Sequence, residues 1–369
     1  MADLVSGLLA GLMAAQTAQH EGNRSSITRS NSTGATPKTF KGRLRIDNFT
    51  SMDPQLNLYP DDAVTGYTTG VLSNWVIPCA YIVAMLVGIP SNAYILAFLR
   101  VRMRAKSLST VILYLNLALS DLLLLLSLAL RVHYHFNGND WIFGETSCRL
   151  ITALFYGNVY CSAQTIACIS LKRYLAVARP FLYRRLAKTA LAMWMCLIVW
   201  ILFVAAIVPE LLVRQSYHII QLGVTTCHDV LPIEVDSYRV MVQYRLVLVC
   251  LGFMIPFLIC IYAHLAVIFH LGQSGCDWRP FIRVSSLVFI IFVICFLPSS
   301  VLHMAHYIRL FSNGDDHLYE YYRVAVCLCC FHSCLDPFLC LLISKTATSE
   351  LQFIPLRGIP QRLAIMMCN

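Results

Sequence analysis

Four basic residues, Lys38, Lys41, Arg43 and Arg45, stand within 36-TPKTFKGRLR-45, in a Ser-, Thr- and Asn-rich run that carries no pattern for folding. Lys and Arg in an extended chain are the side chains that trypsin-like proteases take into an acidic pocket, and such enzymes need an unstructured substrate. The chemistry implied at this stretch is hydrolysis of the chain itself, not catalysis by it. The other chemically notable residues lie where lipid belongs. Asn92, Asp121, Arg173 and Trp200 sit inside long apolar runs, and burying such groups is costly enough that they default to function or to paired packing. Most of the 16 Cys fall in apolar runs, where Cys behaves as a small hydrophobe. No Cys pair has the spacing and polar context of a zinc site and no nucleophile motif appears, which leaves an enzyme poorly supported.

Composition explains where these residues must be held. Of 369 residues, 58% are hydrophobic and 13% charged, with a mean hydropathy of +0.66. Soluble domains carry about 25% charged residues, so this chain points to membrane insertion. Seven segments are long and apolar enough to cross a bilayer: Val76–Leu99, Ser109–Leu130, Arg149–Val177, Ala190–Leu212, Tyr244–Phe269, Val284–Tyr307 and Tyr322–Ile343. Each must be helical, since lipid offers backbone N–H and C=O groups no partner. Pro256, Pro298 and Pro337 interrupt the last three and predict bends.

The net charge of +9 is a topology signal, not a nucleic-acid footprint. Arg100, Arg102, Arg104 and Lys106 fill the first short loop. Arg179, Arg184, Arg185 and Lys188 fill the third, and Arg279 and Arg283 the fifth. The alternate loops lean acidic, so the N-terminus is expected outside and the C-terminus in the cytoplasm of a multi-pass plasma-membrane protein. Glycosylation sequons at Asn23, Asn31 and Asn48 agree with that orientation. Cys148 and Cys227 are the only two Cys placed clearly outside, and a disulfide between them is expected. Residues 1–18 read as a signal peptide and 19–71 as a disordered outer tail. Residues 72–343 are the all-α seven-helix domain, and 344–369 a short cytoplasmic tail.

The set of Asn92, 116-NLALSD-121, the Arg173-Tyr174 pair closing the third span, Trp200 and the three prolines resembles the rhodopsin-like G-protein-coupled receptors. Within them, 141-WIFGETSC-148, the FYGN around Tyr156, 227-CHDVL-231, 295-CFLPSS-300 followed by His306-Tyr307, and 334-CLDPF-338 resemble the proteinase-activated receptors. The resemblance implies a receptor switched on by cutting its own outer tail, whose new N-terminus folds back as a tethered agonist. Pro37-Lys38 suits thrombin, and the cut would release Thr39, Phe40, Lys41 and Gly42 as the ligand. About 33 residues of coil reach roughly 30 Å at an effective concentration in the millimolar range. The acceptor implied is the outer mouth: Asp229 and His228 for a positive charge, and Tyr156, Tyr307, Tyr319 and Tyr322 for Phe40. The alternative for these tyrosines is the interfacial aromatic belt. Segment 47-DNFTSMDPQLNLYPDD-62 is a poor match to the acidic run that docks on thrombin, so another trypsin-like protease is also compatible.

The inner half departs from the family pattern. Lys172 replaces the acid before Arg173, His264 and Cys340 replace two tyrosines, and His332 replaces an Asn. The activation switch implied comprises Lys172, Arg173, Phe296, Pro298, Asp336 and Pro337. Asp121, Ser162, Ser333 and Asp336 match a pocket that binds sodium in many resting receptors, which makes a sodium ion the one allosteric cofactor implied, with a hydrogen-bonded cluster as the alternative. The partners implied are a serine protease, a heterotrimeric G protein and another receptor of the family. Three further readings stay open: a protease-docking co-receptor with weak signalling of its own, an ordinary peptide or lipid receptor, and, least supported, a membrane transporter or enzyme.

Overall fold

The computed structural model describes residues 40–45, 55–58, 70–102, 108–232, 236–273, 279–313 and 318–353. The signal segment, the sequons, Lys38 and Thr39 lie outside the described residues. After strands β1 (Phe40–Arg45) and β2 (Gln55–Leu58), a widened turn at Leu72–Val76 leads into α1 (Ile77–Arg102). Then follow α2 (Leu108–Phe136), α3 (Gly144–Ala178), the short α4 (Pro180–Arg185) and α5 (Lys188–Leu212). Strands β3 (Ser216–Ile219), β4 (Val224–Cys227) and β5 (Val230–Pro232) precede α6 (Asp236–Val249), a second widened turn at Cys250–Met254, and α7 (Ile255–Gly272). The chain ends in α8 (Arg279–Asn313), α9 (Tyr319–Cys330) and α10 (His332–Phe353). All seven expected spans are present, with α6 and α7 forming one and α9 and α10 another.

Six of the spans are long and apolar enough to cross a membrane on those grounds alone. The exception is α3, which carries Asn158, Ser162, Gln164, Thr165, Lys172 and Arg173 along its 35 residues. It can be this polar because it packs against α2, α5 and α7 and spends little surface on lipid. Two of the expected bends take a definite form. Pro256 has no N–H to give Gly252, and the backbone widens at Cys250–Met254 just before it. The last span breaks at Phe331, between α9 and α10, ahead of Pro337.

Polar residues inside the spans hold helices together. Asn92 donates from Nδ2 to the Ser333 carbonyl at 2.7 Å, tying α1 to α10. Trp200 Nε1 donates to Asn116 Oδ1 at 2.6 Å, and Asn116 Nδ2 donates to Thr165 Oγ1 at 2.8 Å, tying α5 to α2 and α3. In lipid such bonds and close packing replace the hydrophobic effect between helices. Gly157 shows the second device, since a Cβ there would lie 2.6 Å from Ile207 on α5.

A sheet with strand order β4-β3-β2-β1-β5 lies over the outer end. Strands β3 and β4 form an antiparallel hairpin in the loop between α5 and α6. Strand β1 pairs antiparallel with β2 and parallel with β5, and β2 pairs parallel with β3. The outer tail was expected to be without structure, and these two strands differ from that. The segments FKGRLR and QLNL take their order here from backbone pairing with each other and with β5 and β3 of the loop.

Candidate functional site at the outer mouth

The outer loop is bolted down before it can present anything. Cys148 near the start of α3 is disulfide-bonded to Cys227 at the end of β4, with Cα atoms 5.7 Å apart. Glu145, in the first turn of α3, accepts the backbone N–H of Gln215 at 2.9 Å and of Ser216 at 2.7 Å. Asp140 accepts the N–H of Thr225 at 2.8 Å. The acids that signalled topology in the sequence therefore serve as backbone acceptors for the hairpin.

Immediately after Cys227 the chain turns at His228, whose φ of +73° is unusual for a residue with a Cβ. Its N–H donates to the Gln215 carbonyl at 2.8 Å, and its Nδ1 lies 2.8 Å from Gln215 Oε1. This turn sends Asp229 into the bundle, where it is 3% exposed. Tyr134 and Tyr319 donate hydroxyl hydrogen bonds to its two oxygens, at 2.8 and 2.5 Å. The Arg323 guanidinium is 3.7 Å from Oδ1, and its Nη2 lies 3.1 Å from His135 Nε2. Burial pushes the Asp229 carboxyl up, but Arg323 leads the groups that outweigh it and hold the carboxyl below its ordinary value. Burial, reinforced by the nearby Arg245, holds the His228 imidazole well below its ordinary value.

Of the residues expected at the mouth, His228, Asp229, Tyr156, Tyr319 and Tyr322 come together. Tyr156 lies 5.1 Å from the His228 ring and 6.4 Å from His303, and His303 lies 4.7 Å from Tyr322. Tyr319 and Tyr322 are buried, which removes them from any aromatic belt facing lipid. Tyr307 is on α8, and its side chain lies outside the described residues. A small cleft opens beside this group, lined by Tyr156, Glu210, His228, Arg245 and His303 among others.

Sequence reasoning passed over the charges that complete the site. Glu210 and Arg245 form a buried two-bond pair, both contacts 2.8 Å. Arg323 is 1% exposed beside Asp229. For Glu210 and Arg245 the available signal was their position inside the expected spans, the same signal that picked out Asp121.

The polar centre of the bundle differs from the sodium-pocket expectation in one respect. Ser333 donates to Asp121 Oδ1 at 3.0 Å and Ser162 does so at 3.4 Å. His332 joins the cluster, its Nε2 3.4 Å from Asp121 Oδ1 and 3.6 Å from Asp336 Oδ2, and one ligand-type atom from each of these three residues lies within 4.8 Å of the others. The set is compatible with a bound cation and with a hydrogen-bonded cluster. Phe296, fully buried, packs against the same ring at 4.4 Å.

At the inner end, Arg173 donates from Nη2 to the Tyr114 hydroxyl at 2.8 Å, and Lys172 donates from Nζ to Thr110 Oγ1. Both partners are on α2. Arg173 and Lys172 are thus each tied to a neighbouring helix. His264 stacks on Phe289 at 4.7 Å, and Cys340 is buried.

Comparison with known proteins agrees with this architecture. The family described as 7 transmembrane receptor (rhodopsin family) matches residues 91–339. Proteinase-activated receptor 3 of Homo sapiens is 40% identical over 298 residues, 81% of this chain and 79% of that protein. The Bos taurus protein of the same name is 40% identical over 289 residues, covering 78% and 76%. Proteinase-activated receptor 2 of Rattus norvegicus is 36% identical over 291 residues, covering 77% and 72%. With seven spans, the outer disulfide and an aromatic mouth around Asp229 in place, the chain is a receptor, not an enzyme, and it belongs to the proteinase-activated receptors of the rhodopsin family.

Proposed function

We propose that this receptor is switched on by hydrolysis of its own outer tail after Lys38, by thrombin or another trypsin-like serine protease, at the plasma membrane with the N-terminus outside. Water adds across the Lys38–Thr39 amide, leaving a carboxylate on Lys38 and a free amine on Thr39. Thr39, Phe40, Lys41 and Gly42 then act as a tethered agonist on the mouth formed by Tyr156, His228, Asp229, Tyr319 and Tyr322, and the signal passes to a heterotrimeric G protein. The observation that carries this reading is the parallel register of β1 on β5. Phe40 pairs with Val230, the residue after Asp229. That pairing brings the start of β1 against the loop that holds Asp229.

A second reading is favoured by the inner end. Lys172, His264 and Cys340 stand where the rhodopsin-like pattern has the acid and the two active-state tyrosines, which supports a protease-docking co-receptor that acts through another receptor of the family. One experiment separates the two. An N-terminal epitope and calcium release are followed in the same cells after thrombin, for wild type and Lys38→Ala. Epitope loss with calcium release, both abolished by the substitution, is the expected result. Epitope loss at Lys38 without calcium release selects the co-receptor. Cleavage indifferent to Lys38 overturns both.

A further inference from the structure

We infer that Asp121, His332 and Asp336 form a buried binding site for a divalent transition-metal ion of the zinc class, which bridges α2 to α10. Neither the site nor its test depends on how the tail is cut. A sodium pocket would be built from Asp121, Ser162, Ser333 and Asp336, whereas here His332 is the residue that selects the ion.

Three buried side chains converge there with nothing to join them. Asp121 is 0% exposed, His332 1% and Asp336 9%. His332 Nδ1 lies 2.9 Å from the Cys329 carbonyl. A carbonyl only accepts, so Nδ1 carries the proton and Nε2 of the neutral ring presents a lone pair. That lone pair faces Asp121 Oδ1 at 3.4 Å and Asp336 Oδ2 at 3.6 Å. His332 Nε2, Asp121 Oδ2 and Asp336 Oδ2 make no hydrogen bond among the described residues. Buried acceptors that face one another unpaired are costly, and a cation between them removes that cost. Two carboxylates and a neutral imidazole balance a divalent ion, whereas a monovalent one leaves a buried negative charge uncompensated.

Spacing and ligand type choose the ion. Zinc holds His nitrogen and carboxylate oxygen at about 2.0–2.2 Å in a tetrahedron, which sets neighbouring ligand atoms about 3.3–3.6 Å apart. The separations of 3.4 and 3.6 Å from Nε2 meet that requirement, and one ligand atom from each of the three residues lies within 4.8 Å of the others. Imidazole suits zinc and its neighbours in the d-block, whereas magnesium and calcium prefer oxygen. The groups behind the ligands are those a metal site needs to orient them. The Cys329 carbonyl fixes the ring, and Ser333 and Ser162 donate to Asp121 Oδ1 at 3.0 and 3.4 Å. A cleft lined by Tyr114, Arg173, Phe296, His332 and Asp336 among others joins the site to the inner end.

The test uses the full-length receptor in detergent, freed of metal with a chelator and then titrated with zinc chloride. Zinc in the micromolar range is expected to raise the melting temperature of the wild type, as a ligand of the folded state alone does. Magnesium chloride at the same concentration is not. His332→Asn and Asp336→Asn are each expected to weaken the apparent zinc affinity about tenfold or more. Free Cys residues also bind zinc, so cobalt(II) is added to the wild type as a spectroscopic probe that needs no variant to fold. A visible d–d band without a thiolate-to-cobalt charge-transfer band is expected, since the ligand atoms are nitrogen and oxygen. No zinc-dependent rise, an equal rise with magnesium, a rise unchanged in both variants, or a cobalt spectrum of thiolate type alone would overturn the inference.

Discussion

Arg323 on α9 directs its guanidinium at Asp229 of the outer loop from 3.7 Å, with both side chains buried. The pair joins the loop that carries β5 to the last span, and it occupies the carboxylate that the tethered amine is proposed to reach. Breaking a buried pair by removing one member costs about 3–5 kcal/mol, because the other charge is left without compensation. Arg323→Leu and Asp229→Asn are each expected to lower the thermal stability of the detergent-solubilised receptor clearly. The double variant should lose much less than the sum of the two, since neither charge is then stranded. Additive losses would show that the two residues do not interact.

The same corner makes the receptor sensitive to acid. His228 and Asp229 both have folded-state values below their ordinary ones, so the unfolded chain binds protons more readily than the folded one. Stability from both groups is present at neutral pH and is lost as pH falls. For His228 the loss begins near the ordinary value of about 6.5, and for Asp229 near about 3.9. The melting temperature should therefore fall between pH 7.5 and 5, and His228→Gln should flatten that part of the profile. A profile that rises toward acid, or one unchanged by the substitution, would reject this assignment.

Much of this architecture is legible in the sequence because lipid leaves few options. The seven spans follow from apolar length, and the Cys148–Cys227 bond follows from which thiols lie outside. Strand β1 was not legible, since its partners Val230–Pro232 lie far along the chain and no local pattern marks the pairing. Arg323 was not legible for a different reason. A lone cation near the end of a span looks like the span's boundary, and only the turn at His228 reveals the carboxylate waiting for it. The inner end shows a third case, in which the partners lie on another helix. Lys172 beside Arg173 gives no sign in the sequence that Thr110 and Tyr114 of α2 accept from the two cations.

Whether the Arg173–Tyr114 bond locks the resting state can be measured. A hydrogen bond from a charged donor contributes about 1.5–3 kcal/mol, and removing it from the resting state alone shifts the resting-to-active ratio by about tenfold or more. Tyr114→Phe keeps the ring and deletes only the acceptor for Arg173. It is expected to raise basal recruitment of a G-protein probe in cells without any protease, at unchanged surface expression. Basal recruitment equal to wild type would mean that the Arg173–Tyr114 bond does not discriminate between the two states.

His332 carries the last prediction, because its Nε2 lies within 4 Å of both buried carboxylates. Its Nδ1–H donates to the Cys329 carbonyl at 2.9 Å, which fixes the ring with Nε2 toward Asp121 and Asp336. The ring and a sodium ion would use the same carboxylate oxygens, so the ring competes with that ion for them. The melting temperature of the wild-type receptor should therefore be the same in sodium chloride as in choline chloride at equal ionic strength. His332→Asn shortens the side chain and leaves Asp121, Ser162, Ser333 and Asp336 around the space it vacates. That variant should melt higher in sodium than in choline, by the amount expected for a ligand bound to the folded state alone. A sodium-dependent rise in the wild type would show that the ring moves aside for the ion, and that the polar centre is a sodium site.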